Sequence, residues 1–430
     1  MKAEIKERID KINRGQVPEG YKKSKFGIIP EDWDIKKLKE VTDYVDYRGK
    51  TPRKVAEGVF LVTAKNIKEG YIDYNISKEY VSEEEYDLIM KRGKPKIGDV
   101  LFTTEAPLGN VAQVDRENIA LAQRVIKFRG KNNLSNDYLK YYLLGEIFQS
   151  LLKNKAIGST VLGIQGKQLH NLEICVPLIE EQQKIADILS TWDKAIELKE
   201  KLIEQKKEQK KGLMQRLLTG KVRLPGFKGE WKEVRLGSIG SAYNGLTGKN
   251  KEDFGSGKPY IPYKNVFNGS RINIDQLEYV QISETENQNK VKYGDIIFTA
   301  SSETPEEVGM SSVLLDHVDE LYLNSFCFGY RLNDFNTLIP EFAQYLFRGN
   351  VFRKELLKLA QGSTRFNLSK NEVLKIKIKI PGLEEQKKIA FVLTIFDREI
   401  DLLEQELEAL KQQKKGLMQL LLTGKVRVKC

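Results

Sequence analysis

The chain has 430 residues, 40% of them hydrophobic and 30% charged, with a formal net charge of +11. That apolar content can fill several cores and excludes a disordered or fibrous protein, while the positive charge makes a polyanion such as nucleic acid a natural partner. No run nears the roughly 18 apolar residues of a membrane span, the charged start at residues 1–7 is unlike a secretion signal, and Cys175, Cys327 and Cys430 have neither pairing nor metal-ligand spacing, so a cytoplasmic protein is expected.

Taken in order, residues 1–20 hold a short charged helical segment with nothing of its own to pack on, expected to sit near the end of the last helix. Residues 21–177 read as a globular domain in which β-rich runs, such as 59–62, 99–103 and 172–176, alternate with a helical pattern at 136–152. Within it, the turn-rich basic stretch Tyr47-Arg48-Gly49-Lys50-Thr51-Pro52-Arg53 suits phosphate oxygens and base edges, and Lys65-Asn66 follows a β-like run. Arg48, Lys50, Thr51, Arg53, Lys65, Asn66, Thr104, Gln123, Arg124, Ser159 and Thr160 are therefore the DNA-contact candidates of this half.

Residues 178–220 then read as one long helix. The stretch 177–223 returns at 381–427 with a constant offset of 204 and is identical at 28 of 47 positions. Each copy opens on Pro-x-x-Glu-Glu-Gln, with acidic residues facing the positive end of the helix dipole, and closes on Lys-Lys-Gly-Leu-Met-Gln and Leu-Leu-Thr-Gly-Lys-Val-Arg. Apolar residues recur every seven between these marks. Leu189, Trp192, Ile196, Ile203 and Leu213 form the seam of the first copy, which Lys199 and Lys206 interrupt. Leu393, Phe396, Ile400, Leu403, Leu407, Leu410 and Leu417 form that of the second, interrupted by Lys414. A glycine inside a helix costs about 1 kcal/mol relative to alanine, so Gly212 and Gly416, kept in both copies, imply close backbone approach between two paired helices.

Residues 221–381 repeat the first domain. Glu230 to Leu236 answers Asp32 to Leu38, Lys292 to Thr299 answers Lys96 to Thr103, and Gly362-Ser363-Thr364 answers Gly158-Ser159-Thr160, at offsets of 198, 196 and 204. Loop lengths thus vary on a common frame. The contact candidates here are Tyr243, Asn244, Thr247, Lys249, Lys264, Asn265, Ser301, Ser302, Asn324, Ser363, Thr364 and Arg365, while Ser369 and Glu372 have capping-box spacing. Residues 382–424 are the second long helix and 425–430 a tail. The fold class is α+β: two similar domains joined by two long antiparallel coiled-coil helices, an internal pseudo-twofold repeat.

Catalytic and metal-binding patterns are not found. His170 and His317 lack ligand spacing, and Gly255-Ser256-Gly257-Lys258 lacks the first glycine and the closing hydroxyl of a phosphate loop. A DNA methyltransferase or nuclease with divergent motifs, or a coiled-coil scaffold without a DNA role, are the alternative readings.

The tandem order of globular domain, Gly-Ser-Thr, Pro-x-x-Glu-Glu-Gln, long helix, Lys-Lys-Gly-Leu-Met-Gln and Leu-Leu-Thr-Gly, twice over, resembles the DNA-specificity subunits of type I restriction-modification systems. The resemblance implies two target-recognition domains, each reading half of a split asymmetric double-stranded site, with the helices as spacer and docking surface. It implies two methyltransferase (modification) subunits and restriction/translocase subunits as partners, no catalysis and no cofactor in this chain, and S-adenosylmethionine, ATP and Mg2+ used by the partners.

Overall fold

A computed structural model describes residues 3–47, 52–131 and 133–428. The chain divides into two compact units, residues 1–199 with 406–430, and residues 200–405.

In the first unit the strand Val100–Thr104 lies between Val125–Gly130 and Leu108–Gln113, with Thr42–Asp46 at the edge, all antiparallel. Every residue of Val100–Thr104 is buried. Successive side chains of a strand point to opposite faces, and both faces of this one are covered. Val100 and Phe102 pack with Tyr138, Leu139 and Phe148 of the helices Asn136–Leu144 and Glu146–Lys155. Leu101 faces a second sheet, built on Val59–Val62 and running parallel to Ile119–Leu121. This is why residues 100–103 read as an unbroken apolar run rather than an alternating one.

The second unit repeats the plan with Gly240–Asn244, Cys327–Leu332, Ile296–Thr299 and Ser311–Val313 in the same order, all antiparallel. Ile296 and Phe298 face the helices Pro340–Leu346 and Asn350–Leu359, while Ile297 faces the second sheet. A buried carboxylate anchors each main sheet. Arg129 donates to Asp99 at 2.6 and 2.7 Å, and Arg331 to Asp295 at 2.8 and 2.6 Å. Two donors in a fork on one carboxylate make this a strong, directional pair.

The long helices run over Ile179–Leu217 and Leu383–Leu422. Within each unit the start of one meets the end of the other, and the repeated motifs build that corner. In the first unit Glu181, 1% exposed, accepts from Arg427 at 2.7 and 2.8 Å and from the Trp33 indole at 2.9 Å. The amide of Gln182 beside it donates to the carbonyls of Pro177 and Asn133 and accepts from the Ser135 N–H. In the second unit Glu385 accepts from Arg223 at 2.6 and 2.6 Å, and Gln386 bonds Pro381, Thr337 and Ile339 likewise. The Trp231 indole N–H, unlike that of Trp33, has no hydrogen-bond partner among the described residues. Gly220 and Gly424 end the helices at φ +66° and +69°, against the rings of Trp231 and Trp33. The N-terminal helix Ala3–Asn13 joins the first corner, since Arg8 bonds the Lys425 carbonyl and the Lys425 ammonium bonds Asn13.

Pairing of the helices is antiparallel in both units. The first unit joins Asp193 to Lys414 and Lys199 to Glu406, and the second joins Lys206 to Glu399, Lys207 to Glu404 and Lys210 to Asp397. The lysines that break the heptads thus meet carboxylates across the seam. Tyr141 and Tyr345 reach in from the domains to Asp193 and Asp397, at 2.6 and 2.7 Å. Leu189, Ile203, Leu393 and Ile400 are buried, while Trp192, Ile196, Leu213, Phe396, Leu403, Leu407, Leu410 and Leu417 are half-buried. Two expectations fail. A Cβ placed on Gly212 or Gly416 meets nothing within 4 Å, so no close backbone approach explains these glycines. Ser369 does precede the helix Lys370–Val373, but its hydroxyl makes no cap bond and Glu372 pairs with Lys375 instead.

Candidate nucleic-acid interface

In the first unit, the end of the strand Val100–Thr104 gathers three loops. Thr104 donates its N–H to the Arg124 carbonyl and accepts from Ile164, and Ile157 and Gly163 exchange backbone bonds of 2.8 and 3.0 Å. The enclosed turn puts Ser159, Thr160, Val161 and Leu162 in solvent. Gly158 shapes it at φ +127°, where a Cβ would lie 2.1 Å from the Val161 carbonyl oxygen. Next to the turn, Arg124 pairs with Glu105 at 2.5 Å.

The second unit repeats these backbone bonds with other side chains. Ala300 donates to the Phe326 carbonyl and accepts from Leu368, and Gln361 and Asn367 exchange bonds of 3.0 and 2.8 Å. Gly362 takes φ +138°, with a would-be Cβ 2.0 Å from the Arg365 carbonyl oxygen. The matching bonds make Phe326 the counterpart of Arg124, Ser301 that of Glu105 and Arg365 that of Val161. Arg365 Nε donates to Ser301 Oγ at 2.9 Å, and its guanidinium lies 5.0 Å from the Phe326 ring centre. They border a cavity of about 340 Å³ that Tyr263, Phe267, Ser302, Glu303 and Glu307 complete. Beyond Phe326 a second hollow of about 440 Å³ is lined by Lys249, Phe254, Tyr260 and Asn324.

Other candidates are sorted by burial. Arg53, Lys65, Lys264, Thr247, Ser363 and Thr364 are exposed, and Gln123 is half-buried. Asn244 holds the Lys370 ammonium, and Asn324 turns the chain by accepting from the Phe326 N–H at 2.8 Å. Ser302, buried, bonds Glu307 and serves the cavity wall. Arg48, Lys50 and Thr51 lie outside the described residues.

Five candidates are corrected. Asn66, fully buried, ties its own loop through Thr63, Asp73 and Ser77, and Asn265 does so through Asn273 and Gln276. Thr104, 3% exposed, is a strand residue bonded to Arg124. The Lys249 side chain, 8% exposed, is neutralised by Glu286. The Tyr243 hydroxyl donates to Asp295 at 2.7 Å and so belongs to the sheet anchor. In the Lys-Asn pairs, then, only the lysine is presented, because the asparagine amide is consumed closing the loop. Phe326 and Glu105 went unrecognised in the sequence. An aromatic directly after Asn324-Ser325, in a short link between strands, was the available signal for the first.

Two heads of one design, with a shared backbone and different side chains at the same corner, define a tandem recognition protein. A family model for the type I restriction modification DNA specificity domain matches twice, over residues 30–207 and 228–412. The chain belongs to that family. It is 29% identical to the type I restriction enzyme MjaVIII specificity subunit of Methanocaldococcus jannaschii, over 93% of this chain and 94% of that one. It is 30% identical to the putative MjaX specificity subunit of the same organism, over 96% and 97%. Among solved structures, one from work on complex assembly and conformational transition of the type I R-M system aligns with a TM-score of 0.59 at 20% identity, covering 93% of this chain and 99% of that one. The type I S subunit from M. genitalium aligns at 0.53 and 17%, covering 90% and 96%. These likenesses bear out the duplicated fold. No described helix is long and apolar enough to cross a membrane.

Proposed function

We propose that this chain reads a bipartite, asymmetric site in double-stranded DNA, each head taking one half, and that it performs no chemistry itself. The observation that carries the reading is the loop cluster. Glu105, Arg124 and Val161 in one head stand where Ser301, Phe326 and Arg365 stand in the other, on matching backbone hydrogen bonds. Two readers of unlike sequences need a constant frame with variable tips, whereas a phosphate grip alone needs no such divergence. Arg53, Lys65 and Lys264 are exposed cations suited to the backbone of the duplex.

The paired helices set the separation of the half-sites and carry the partner subunits. Phe391, Ile395 and Leu402 on the second helix are exposed apolar residues at heptad positions turned away from the seam, as a docking face requires. The partners are two methyltransferase subunits and restriction/translocase subunits, which use S-adenosylmethionine, ATP and Mg2+. Their setting is the cytoplasm.

Mapping methylated adenines in cells carrying the assembled complex tests this. Two short fixed segments separated by an unread gap are expected, and one continuous motif overturns the reading. Removing two helical turns between Lys199 and Gln209, about 11 Å, should change the tolerated gap by about three base pairs at ~3.4 Å each.

A further inference from the structure

We propose that Arg365 is the base-reading residue of the second head and that it recognises guanine, its guanidinium pairing with guanine N7 and O6 in the major groove. The proposal rests on the half-site reading above and deepens it.

Arg365 is exposed at the tip of a turn whose course is set by Gly362 and the Gln361–Asn367 backbone bonds. Its plane is held from two sides, by Ser301 at 2.9 Å on Nε and by the face of Phe326 at 5.0 Å. Among the described residues, neither terminal nitrogen has a hydrogen-bond partner. A planar fork with one edge spent on the protein and the other free matches the two acceptors of guanine, and holding it in advance lowers the entropy lost on binding. The surroundings favour a base over a phosphate: Glu303 and Glu307 line the same cavity, and carboxylates there repel a phosphate more than a base edge. The first head supplies the contrast. Its turn has Val161 at this position, and its nearby Arg124 is occupied by Glu105. Guanine reading by this corner therefore belongs to one half-site alone.

Motif mapping with the unaltered chain, Arg365→Lys and Arg365→Ala is the test. Either variant should make one guanine of one half-site degenerate, losing roughly ten- to hundredfold in discrimination, with the other half-site unchanged. Arg365→Lys keeps the charge, so a phosphate role would leave the motif intact and overturn the assignment. A duplex bearing the mapped site with 7-deazaguanine at each guanine in turn decides the matter without any variant. Binding by the unaltered chain should fall about tenfold or more at one position in that half-site, and no sensitive guanine there sinks the proposal. A bipartite motif that survives Arg365→Lys refutes only this assignment, whereas a motif that is not bipartite refutes the half-site reading itself.

Discussion

The two heads are most alike where they are buried and least alike where three loops meet. Asp99–Arg129 and Asp295–Arg331 are the same anchor, and Glu181–Arg427 and Glu385–Arg223 the same corner, down to the forked geometry. At the tip, one head has a carboxylate–arginine pair and a turn bearing Val161, and the other has a serine, a phenylalanine and an arginine that the serine holds. The lesson is energetic. A buried charge stripped of its partner destabilises by several kcal/mol, so the frame resists change, whereas exposed side chains on a turn fixed by backbone bonds can differ at little cost to folding.

Even the conserved corners are not identical, and they give the largest expected effect. Arg427→Met and Arg223→Met each leave a buried carboxylate without its guanidinium. Glu181 keeps the Trp33 N–H, while Trp231 gives Glu385 no such bond, and Arg427, unlike Arg223, also forks onto an aspartate, Asp32, at 3.0 and 2.9 Å. Both variants should lower the denaturation midpoint of the full chain more than any substitution below, with hydrogen exchange placing each loss in the unit that carries the substitution. A loss shared by both units would break the comparison.

Next come the helix ends. Alanine at either Gly220 or Gly424 costs about 1–2 kcal/mol for its left-handed conformation. A Cβ on Gly424 would lie 2.4 Å from Pro30 Cδ, whereas on Gly220 the nearest atom is Trp231 Cε2 at 3.3 Å. Gly424→Ala should thus lower the melting temperature further than Gly220→Ala, and the reverse order would show the corners relax unequally. Gly212→Ala and Gly416→Ala sharpen the picture with the opposite sign. With open space around each position, each should stabilise by about 1 kcal/mol through helix propensity.

The smallest effect is acid sensitivity of the second head. Hydrogen bonds from Lys249, with help from Ser283 and Gln288, hold the Glu286 carboxyl down at about 2. Lys258 and Lys290 do the same for Glu320, also at about 2. Carboxyls depressed below their ordinary 4.5 stabilise the fold above that pH and lose the contribution as pH falls towards 2. The melting-temperature gap between the unaltered chain and Glu286→Gln or Glu320→Gln should therefore narrow across that window. A gap independent of pH would mean the pairs are ornamental.

Much of this was legible in the sequence because a repeat shows what must stay constant. The long helices, their antiparallel pairing and the doubled domain followed from an unbroken offset and a heptad pattern. What the seam lysines do did not follow, because their partners Glu406, Glu399 and Asp193 lie some 200 residues away and carry no local mark. The contact candidates were blurred for a related reason. Asn66 and Asn265 look like readers in sequence, yet their amides are consumed within their own loops. Residue type alone does not say whether a polar group is already satisfied.

The glycine-clamped turn carries a consequence for how such a protein diversifies. Gly158 and Gly362 with their flanking backbone bonds fix its course whatever side chains it bears. Val161 and Arg365 can then be exchanged by a few nucleotide changes in the gene, leaving the helix ends untouched. Divergence is in this way confined to the rim of each head, and the buried anchors that hold the fold need not follow it.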